Sequence, residues 1–276
     1  MVQLKTLAIT IGLLVPILTL PATANSDVER RFQTWIQKDI WPKARSQGVS
    51  RKTFQAAFAG VKLNWKLPDL KKPGTQTGAP KIQRQADFSS PARYFKERRL
   101  NTLVATGRKH LTKWSRTLDT IEKKYGVPRR IIVAIWGRES AFGRASIPHN
   151  AVRSLATQAF IGRRREFFEP ELLAALQILQ QKHVTLAQMK SSWAGAMGHP
   201  QFLPSKFLSY AVDFDGDGRR DIWSSVPDSL ASIAKFLKGS GWQSGRDWGF
   251  EASIPQSISC AREGPEQGRK IAEWVS

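Results

Sequence analysis

Residues 128–143, PRRIIVAIWGRESAFG, hold the pattern that decides the fold. Pro128 suits the first turn of a helix, where its missing N–H costs nothing. Apolar residues then recur at helical spacing as far as Trp136, which indicates one apolar helix face. Gly143 is typical of a residue that ends a helix. The stretch therefore predicts a helix that packs into a core and ends at Gly143.

A carboxyl group lies on the apolar face of this predicted helix. Glu139 follows Ile135 by four residues and Trp136 by three, so these side chains share one face. A poorly solvated carboxyl resists ionisation, which raises its pKa. A carboxylic acid that stays protonated near neutral pH can donate its proton to a glycosidic oxygen. Glu139 is thus a candidate catalytic acid at a helix end, where a cleft can open; a structural carboxylate paired with Arg138 or Arg144 is the alternative.

The rest of the chain also favours helices, so the predicted fold class is mainly α. Helical periodicity dominates from about residue 27 to residue 60, and proline and glycine make residues 66–91 an extended connector. We therefore expect an N-terminal helical segment with its connector at 25–91 and a catalytic region at 92–276. Within that region we predict helices from Pro91 past Leu111, at 114–125, from Pro128 to Gly143, at 148–160, at 165–182 and at 228–239.

Residues 1–24 have the features of a secretory signal peptide. Lys5 gives a positive start, residues 7–20 form an apolar run, and Ala22-Thr23-Ala24 offers a small-residue cleavage site. An uncleaved anchor is the alternative, but the run is short for a membrane span and Pro16 interrupts it. We therefore expect export to the periplasm and no stable membrane span after cleavage.

The chain of 276 residues carries a formal net charge of +21, which calls for a polyanionic partner or surface. Nucleic acid is one candidate, but no nucleic-acid motif stands out and the export signal opposes it. The bacterial wall, with its acidic peptides and phosphates, fits better, although basic residues that only keep the protein soluble are an alternative. The single cysteine, Cys260, cannot form an internal disulfide, so the fold must depend on packing.

Four segments, in this order, resemble the lytic murein transglycosylase B family. They are IVAIWGRESAFG at 132–143, NAVRSLATQAFIGRRREFF at 150–168, SWAGAMGHPQFLP at 192–204 and YAVDFDGDGRRDIW at 210–223. The resemblance implies a lysozyme-like helical catalytic domain with an N-terminal helical extension. It also implies cleavage of the β-1,4 bond between N-acetylmuramic acid and N-acetylglucosamine in peptidoglycan glycan strands, with a 1,6-anhydromuramoyl product and no organic cofactor.

In that chemistry Glu139 acts first as acid and then as base. The resemblance further implies that the sugar cleft is lined by Ser140, Ser192, Gly195, Gly198 and Gln201. The Gln201 side chain offers a hydrogen-bond donor and an acceptor to an acetamido group, and the glycines let the backbone approach a glycan closely. A glycine-containing turn before a helix that starts at Pro204 is the alternative for this segment.

The acidic segment opens like an EF-hand calcium loop, with D-x-D-x-D-G at residues 213–218. An ordinary EF-hand has glutamate at its twelfth position, where this chain has Ser224. The family uses a later aspartate, and Asp228 could serve after a one-residue shift. An Asp-Gly turn bonded to its own backbone is the alternative. The expected ligands of a structural Ca²⁺ are Asp213, Asp215, Asp217, the Arg219 carbonyl, Asp221 and Asp228.

One expected part of the family pattern is missing from the sequence. The resemblance implies a Tyr-Asn-containing helical segment that contributes to the cleft near the C-terminus, and we find none before Ser276. A non-catalytic peptidoglycan-binding protein is therefore one alternative to a lytic transglycosylase. A hydrolytic muramidase on the same fold is a second alternative.

Overall fold

The computed structural model describes residues 22–71 and 96–249, together with Ser253 and Glu273. These residues are mostly helical, as predicted. A π-helical stretch, Ile36–Ile40, joins the first two helices, and two short strands pair as an antiparallel ladder, β1 (His149–Asn150) with β2 (Lys190–Ser191). The helices are α1 Ala22–Trp35, α2 Trp41–Ser46, α3 Arg51–Phe58, α4 Glu97–Lys113, α5 Ser115–Tyr125, α6 Arg129–Ser140, α7 Ala151–Ile161, α8 Arg165–Gln180, α9 Pro204–Tyr210 and α10 Val226–Gly239.

Local side-chain caps explain where several of these helices begin. Ser50 accepts a hydrogen bond from the Thr53 N–H at the start of α3, and Asn150 accepts one from the Arg153 N–H at the start of α7. Such caps satisfy backbone donors that have no partner inside the helix, and each contributes about 1 kcal/mol. Gly126 ends α5 in the left-handed conformation.

The end of α6 differs from the prediction. The helix ends at Ser140, three residues before Gly143, because Ala141, Phe142 and Gly143 all have positive φ angles of 49°, 61° and 78°. A helix cannot continue through left-handed residues, so the chain reverses immediately after Glu139 and Ser140.

The N-terminal helices share one hydrophobic cluster with α7, α8 and α9. Phe32 and Phe54 are completely buried in it, together with Leu155, Phe168 and Phe207. A second cluster joins α5, α6 and α10 through Leu118, Ile121, Ile132, Trp136 and Leu230. Burial of such a side chain contributes about 1.5–3 kcal/mol relative to exposure, so α6 is held mainly by this second cluster.

The first residues of the predicted connector are fixed against the end of α7. The Lys71 N–H donates to the Ile161 carbonyl over 2.7 Å, and the Arg163 N–H donates to the Asp69 carbonyl over 3.0 Å. The remainder of the predicted connector, residues 72–91, lies outside the described residues. The division between an N-terminal segment at 25–91 and a catalytic region at 92–276 stays a prediction.

The chain divides into two compact units, residues 1–242 and residues 243–276, and every element named above lies in the first. In the second unit the described residues include Trp248, whose surface is 78% exposed. Among the described residues, no helix combines the length and the apolar character needed to cross a bilayer. Because α1 begins at Ala22, the predicted cleavage site lies in its first turn; residues 1–21 and Cys260 lie outside the description.

Candidate active site

Glu139 lies in the last turn of α6, on the face predicted from its spacing. Ile132 and Trp136 of that face are buried, at 0% and 1% exposure, whereas Glu139 itself is exposed. Surrounding protein nevertheless displaces water from its carboxyl, and this desolvation raises the pKa of Glu139, while the charge of Arg138 lowers it to a smaller extent. The result is an acid that solvent can reach and that resists ionisation.

No hydrogen bond or ion pair to the Glu139 carboxyl occurs within residues 22–71 and 96–249. Arg144, one of the basic residues considered as its partner, instead donates from Nε to the Ala141 carbonyl over 3.2 Å. The carboxyl is therefore not tied up by another side chain of this part of the protein.

Ser140 is buried at the end of α6. It is 3% exposed, and its Oγ donates to the Trp136 carbonyl over 3.3 Å and accepts from the Gly143 N–H over 3.0 Å. In this structure the Ser140 hydroxyl therefore supports the turn that follows α6. The expected substrate contact of Ser140 stays a prediction.

The segment at 192–202 is folded by short-range backbone bonds. The Ser192 N–H donates to the Ala196 carbonyl over 2.7 Å, and the Ser192 Oγ accepts from the Ala196 N–H over 3.1 Å. Met197 and Phe202 exchange two backbone hydrogen bonds of 2.8 and 3.0 Å. Ser192 is partly buried and uses its hydroxyl to close a turn, so its sugar contact remains a prediction.

The two glycines of this segment are required by contacts within the protein. A Cβ on Gly195 would overlap the Leu155 side chain, and a Cβ on Gly198 would overlap the Ile222 carbonyl. Close packing against neighbouring segments therefore explains why glycine occupies both positions. The expected approach of a glycan to their backbone is not needed to account for them.

Gln201 keeps one polar atom available. Its backbone has a φ of 52°, and its Nε2 donates to the Gly198 carbonyl over 2.8 Å. The residue is partly exposed, and its Oε1 makes no hydrogen bond to the described part of the chain. An oriented amide with a free acceptor is suited to bind an N–H donor such as that of an acetamido group.

His199 joins this segment to the end of α6 and is not among the site residues predicted from the sequence. Its ring stacks on the Trp136 ring with centroids 5.8 Å apart and an interplanar angle of 23°. A Cβ on Gly143 would overlap the same imidazole. No spacing signal marks His199 as a neighbour of α6, because more than fifty residues separate them along the chain.

The acidic loop brings three of the expected ligands together. Oxygen atoms of Asp213, Asp215 and Asp228 all lie within 4.8 Å of one another. Asp228 is buried at the start of α10 and accepts hydrogen bonds of 2.8 Å from the Phe214 and Asp221 N–H groups. Its burial is the main cause that raises its pKa, and the negative charge of Asp215 adds to it.

Two further expected ligands, Asp217 and Asp221, accept hydrogen bonds from neighbouring residues, and their ligation, like that of the Arg219 carbonyl, stays a prediction. Asp217 accepts from the Arg219 Nη2 over 2.8 Å, which lowers the pKa of Asp217, and Asp221 accepts from the backbone N–H groups of Trp223 and Ser224 over 2.9 Å. The three convergent carboxylates repel one another unless a cation neutralises them. Hard oxygen donors of this kind fit Ca²⁺.

The chain is similar to known peptidoglycan enzymes over most of its length. A family model described as transglycosylase SLT domain matches residues 31–276. Membrane-bound lytic murein transglycosylase B of Escherichia coli is 39% identical over 136 residues, which cover 48% of this chain and 37% of that protein.

Solved structures show the same similarity. SltB3 from Pseudomonas aeruginosa, crystallised in complex with NAG-NAM-pentapeptide, has a TM-score of 0.73 and 37% identity, and the match covers 88% of this chain and 62% of that one. The Escherichia coli lytic transglycosylase Slt35 in complex with calcium has a TM-score of 0.58 and 28% identity, with 81% and 65% covered. The chain spans less than two thirds of the length of each of these relatives.

Proposed function

This chain belongs to the transglycosylase SLT domain family, and on that premise we propose that it is a lytic transglycosylase of peptidoglycan. The bond cleaved is the β-1,4 bond between N-acetylmuramic acid and N-acetylglucosamine. The observation that carries the proposal is the position of Glu139 in the last turn of α6, where its carboxyl is exposed and has no partner within residues 22–71 and 96–249. Desolvation there raises the pKa of Glu139. The names of the similar enzymes support it, as does the NAG-NAM-pentapeptide bound by SltB3.

The proposed reaction uses one carboxyl twice. Protonated Glu139 donates its proton to the glycosidic oxygen as the bond from that oxygen to muramic acid C1 breaks. The resulting carboxylate then takes the proton of the muramic acid C6 hydroxyl, whose oxygen bonds to C1 of the same sugar. The products are a free N-acetylglucosamine hydroxyl and a 1,6-anhydro ring, with Glu139 protonated again. Because the nucleophile belongs to the substrate, its geometry is already set and no water needs activation.

Gln201 is the residue we propose to orient the substrate. Its Nε2 donates to the Gly198 carbonyl, and this bond already fixes the direction of Oε1. Substrate binding therefore costs the Gln201 side chain little conformational entropy. An acetamido N–H of the glycan is the donor that suits it.

The decisive experiment compares purified wall sacculi digested by the wild type, by Glu139→Gln and by Glu166→Gln. Glu166 is an exposed carboxylate in the first turn of α8 and serves as the matched control. We expect 1,6-anhydromuramoyl products, identified by mass spectrometry, from the wild type and the control but not from Glu139→Gln.

Two other results would each replace the proposal. Reducing muramic acid ends in place of anhydro ends would identify a hydrolytic muramidase. Sacculus binding without any soluble product from the wild type would identify a non-catalytic peptidoglycan-binding protein.

We further propose that Asp213, Asp215 and Asp228 hold a structural Ca²⁺ and that the protein works in the periplasm. The convergence of the three carboxylates supports the first part, as does the calcium complex of the similar Slt35. The bound cation would offset carboxylate repulsion and fix the loop that precedes α10. The signal-like pattern of residues 1–24 supports export, which cell fractionation and the N-terminal sequence of the mature protein test.

A further inference from the structure

The turn that follows Glu139 is conformationally strained. Ala141, Phe142 and Gly143 adopt left-handed backbone angles in succession, and two of them are not glycine. A non-glycine residue in this region costs on the order of 1 kcal/mol or more, so neighbouring groups must hold the turn in place.

The turn is held in part from within α6. The Ala141 N–H donates to the Gly137 carbonyl over 3.0 Å, and the Phe142 N–H donates to the Trp136 carbonyl over 3.3 Å. The Gly143 N–H donates to the Ser140 Oγ. The Ala145 N–H also donates to the Ser140 carbonyl over 2.8 Å, so α6 supplies backbone partners on both sides of Gly143.

The imidazole of His199 packs directly against Gly143. It occupies the space that a Cβ on Gly143 would need, and it stacks on Trp136. Its Nδ1 is buried and has no hydrogen-bond partner in the described part of the chain. The ring therefore acts here by its shape and its contact surface, and not through a hydrogen bond from this nitrogen.

His199 is itself held by a third segment. Its backbone N–H donates to the Ile222 carbonyl over 2.8 Å, and Gly198 packs so closely on the same carbonyl that no Cβ fits between them. Ile222 follows Asp221 of the acidic loop, whose N–H binds the buried Asp228. The position of the imidazole is thus set by the backbone next to this loop.

Trp136 and Gly143 flank Glu139, three residues before it and four after it, and His199 contacts both. We infer that His199 is a positioning residue for Glu139: its ring clamps the turn at 141–143 against Trp136 and so fixes the direction of the carboxyl. The inference rests on the proposed function only for its kinetic readout, because the clamp itself is a property of the structure.

The test compares His199→Ala, which removes the ring, with His199→Phe, which keeps an aromatic surface and has no nitrogen. For His199→Ala we expect kcat on sacculi to fall by about tenfold to a hundredfold with KM within about twofold, since loss of alignment at the reacting atoms has effects of this size. His199→Phe is expected to restore most of kcat, because the clamp needs shape alone. Phe54→Leu, in the other hydrophobic cluster, is the control for a general loss of stability.

A second readout does not depend on activity. The pKa of Glu139 is measured from the ¹³C shift of its carboxyl, assigned by its disappearance in Glu139→Gln. Release of the turn lets water reach the carboxyl, so the pKa falls toward its ordinary value in His199→Ala and stays raised in His199→Phe and Phe54→Leu.

Two results would overturn the inference. One is an unchanged kcat and an unchanged Glu139 pKa in a folded His199→Ala protein. The other is a His199→Phe protein as impaired as His199→Ala, which would mean that the imidazole acts through its nitrogens. An inactive wild type with the expected pKa pattern would instead refute the proposed function and leave the clamp intact.

Discussion

The ring of Phe142 lies directly over Gly137, two residues before Glu139. A Cβ added to Gly137 would be 2.7 Å from the Phe142 Cζ and 2.9 Å from its Cε1, well inside contact distance. Phe142 is 7% exposed and also packs on the rings of His110 and Trp136, with centroids 4.7 and 5.3 Å away, so its ring has little room to move. The turn after α6 therefore requires a residue without a side chain at position 137.

Gly137→Ala is expected to destabilise the protein by about 1–3 kcal/mol through overpacking, despite the better helix propensity of alanine. Gly107→Ala is the matched control, because a Cβ there would lie 3.6 Å from the same Cζ, an ordinary contact. We expect it to be neutral or to stabilise by up to ~1 kcal/mol. Urea unfolding of both variants measures the difference, and equal effects would refute the packing argument.

Ser140→Ala is expected to destabilise by about 1–3 kcal/mol and to lower activity, because it leaves the Gly143 N–H without its acceptor. The exposed Ser209 hydroxyl likewise donates to the carbonyl four residues earlier. Ser209→Ala therefore measures the effect of losing a bond of this kind alone. Denaturant midpoints and sacculus digestion provide the measurements. A Ser140→Ala protein that is as stable as the control and loses only substrate affinity would contradict this structural role and support the sugar contact that the resemblance implies.

The raised pKa of Glu139 gives a pH dependence with a definite sign. Protonated Glu139 is the form required by the proposed reaction, so kcat should fall as the pH rises through its raised pKa. We expect the alkaline limb of the pH–kcat profile to lie above the ordinary glutamate range. An activity that keeps rising with pH and shows no alkaline limb would contradict the assignment.

The same shift predicts a stability effect. A carboxyl whose pKa is higher in the folded than in the unfolded protein stabilises the folded state. Its full contribution is present at pH values below the unfolded-state pKa and is lost as the pH rises through the folded-state pKa. Glu139→Gln should therefore match the wild type in acid and become relatively more stable as the pH rises past both values. Thermal midpoints of the two proteins at several pH values test this prediction. A midpoint of Glu139→Gln that does not rise relative to that of the wild type as the pH increases would contradict it.

Calcium is expected to raise the thermal midpoint of the wild type, and a chelator should reverse the effect, because the ion binds only the folded loop. Asp213→Asn removes one of the three convergent carboxylates and should abolish most of the rise. Asp27→Asn, which removes an exposed acid paired with Arg30, should leave it intact. An equal rise in both variants would show that the ion binds elsewhere.

Much of the candidate site could be predicted from spacing alone. Ile135, Trp136 and Glu139 lie within one helical turn, so the period of the helix fixes their common face whatever surrounds them. The opening of the acidic loop is equally local, since Asp213 and Asp215 are close in any compact turn. Spacing alone did not identify Asp228 as a ligand, because 13 residues separate it from Asp215. Its prediction needed the family resemblance.

By itself, then, the sequence determined the helix that carries Glu139, the face on which the carboxyl lies and the acidic opening of the loop. Only the tertiary structure decided that Ser140 is buried, that Phe142 folds back over Gly137 and that His199 closes on Gly143. The physical reason is that periodicity records the contacts of neighbours along one helix. Contacts between distant segments depend instead on how side chains of particular shapes fill the space between packed elements, which no local pattern specifies.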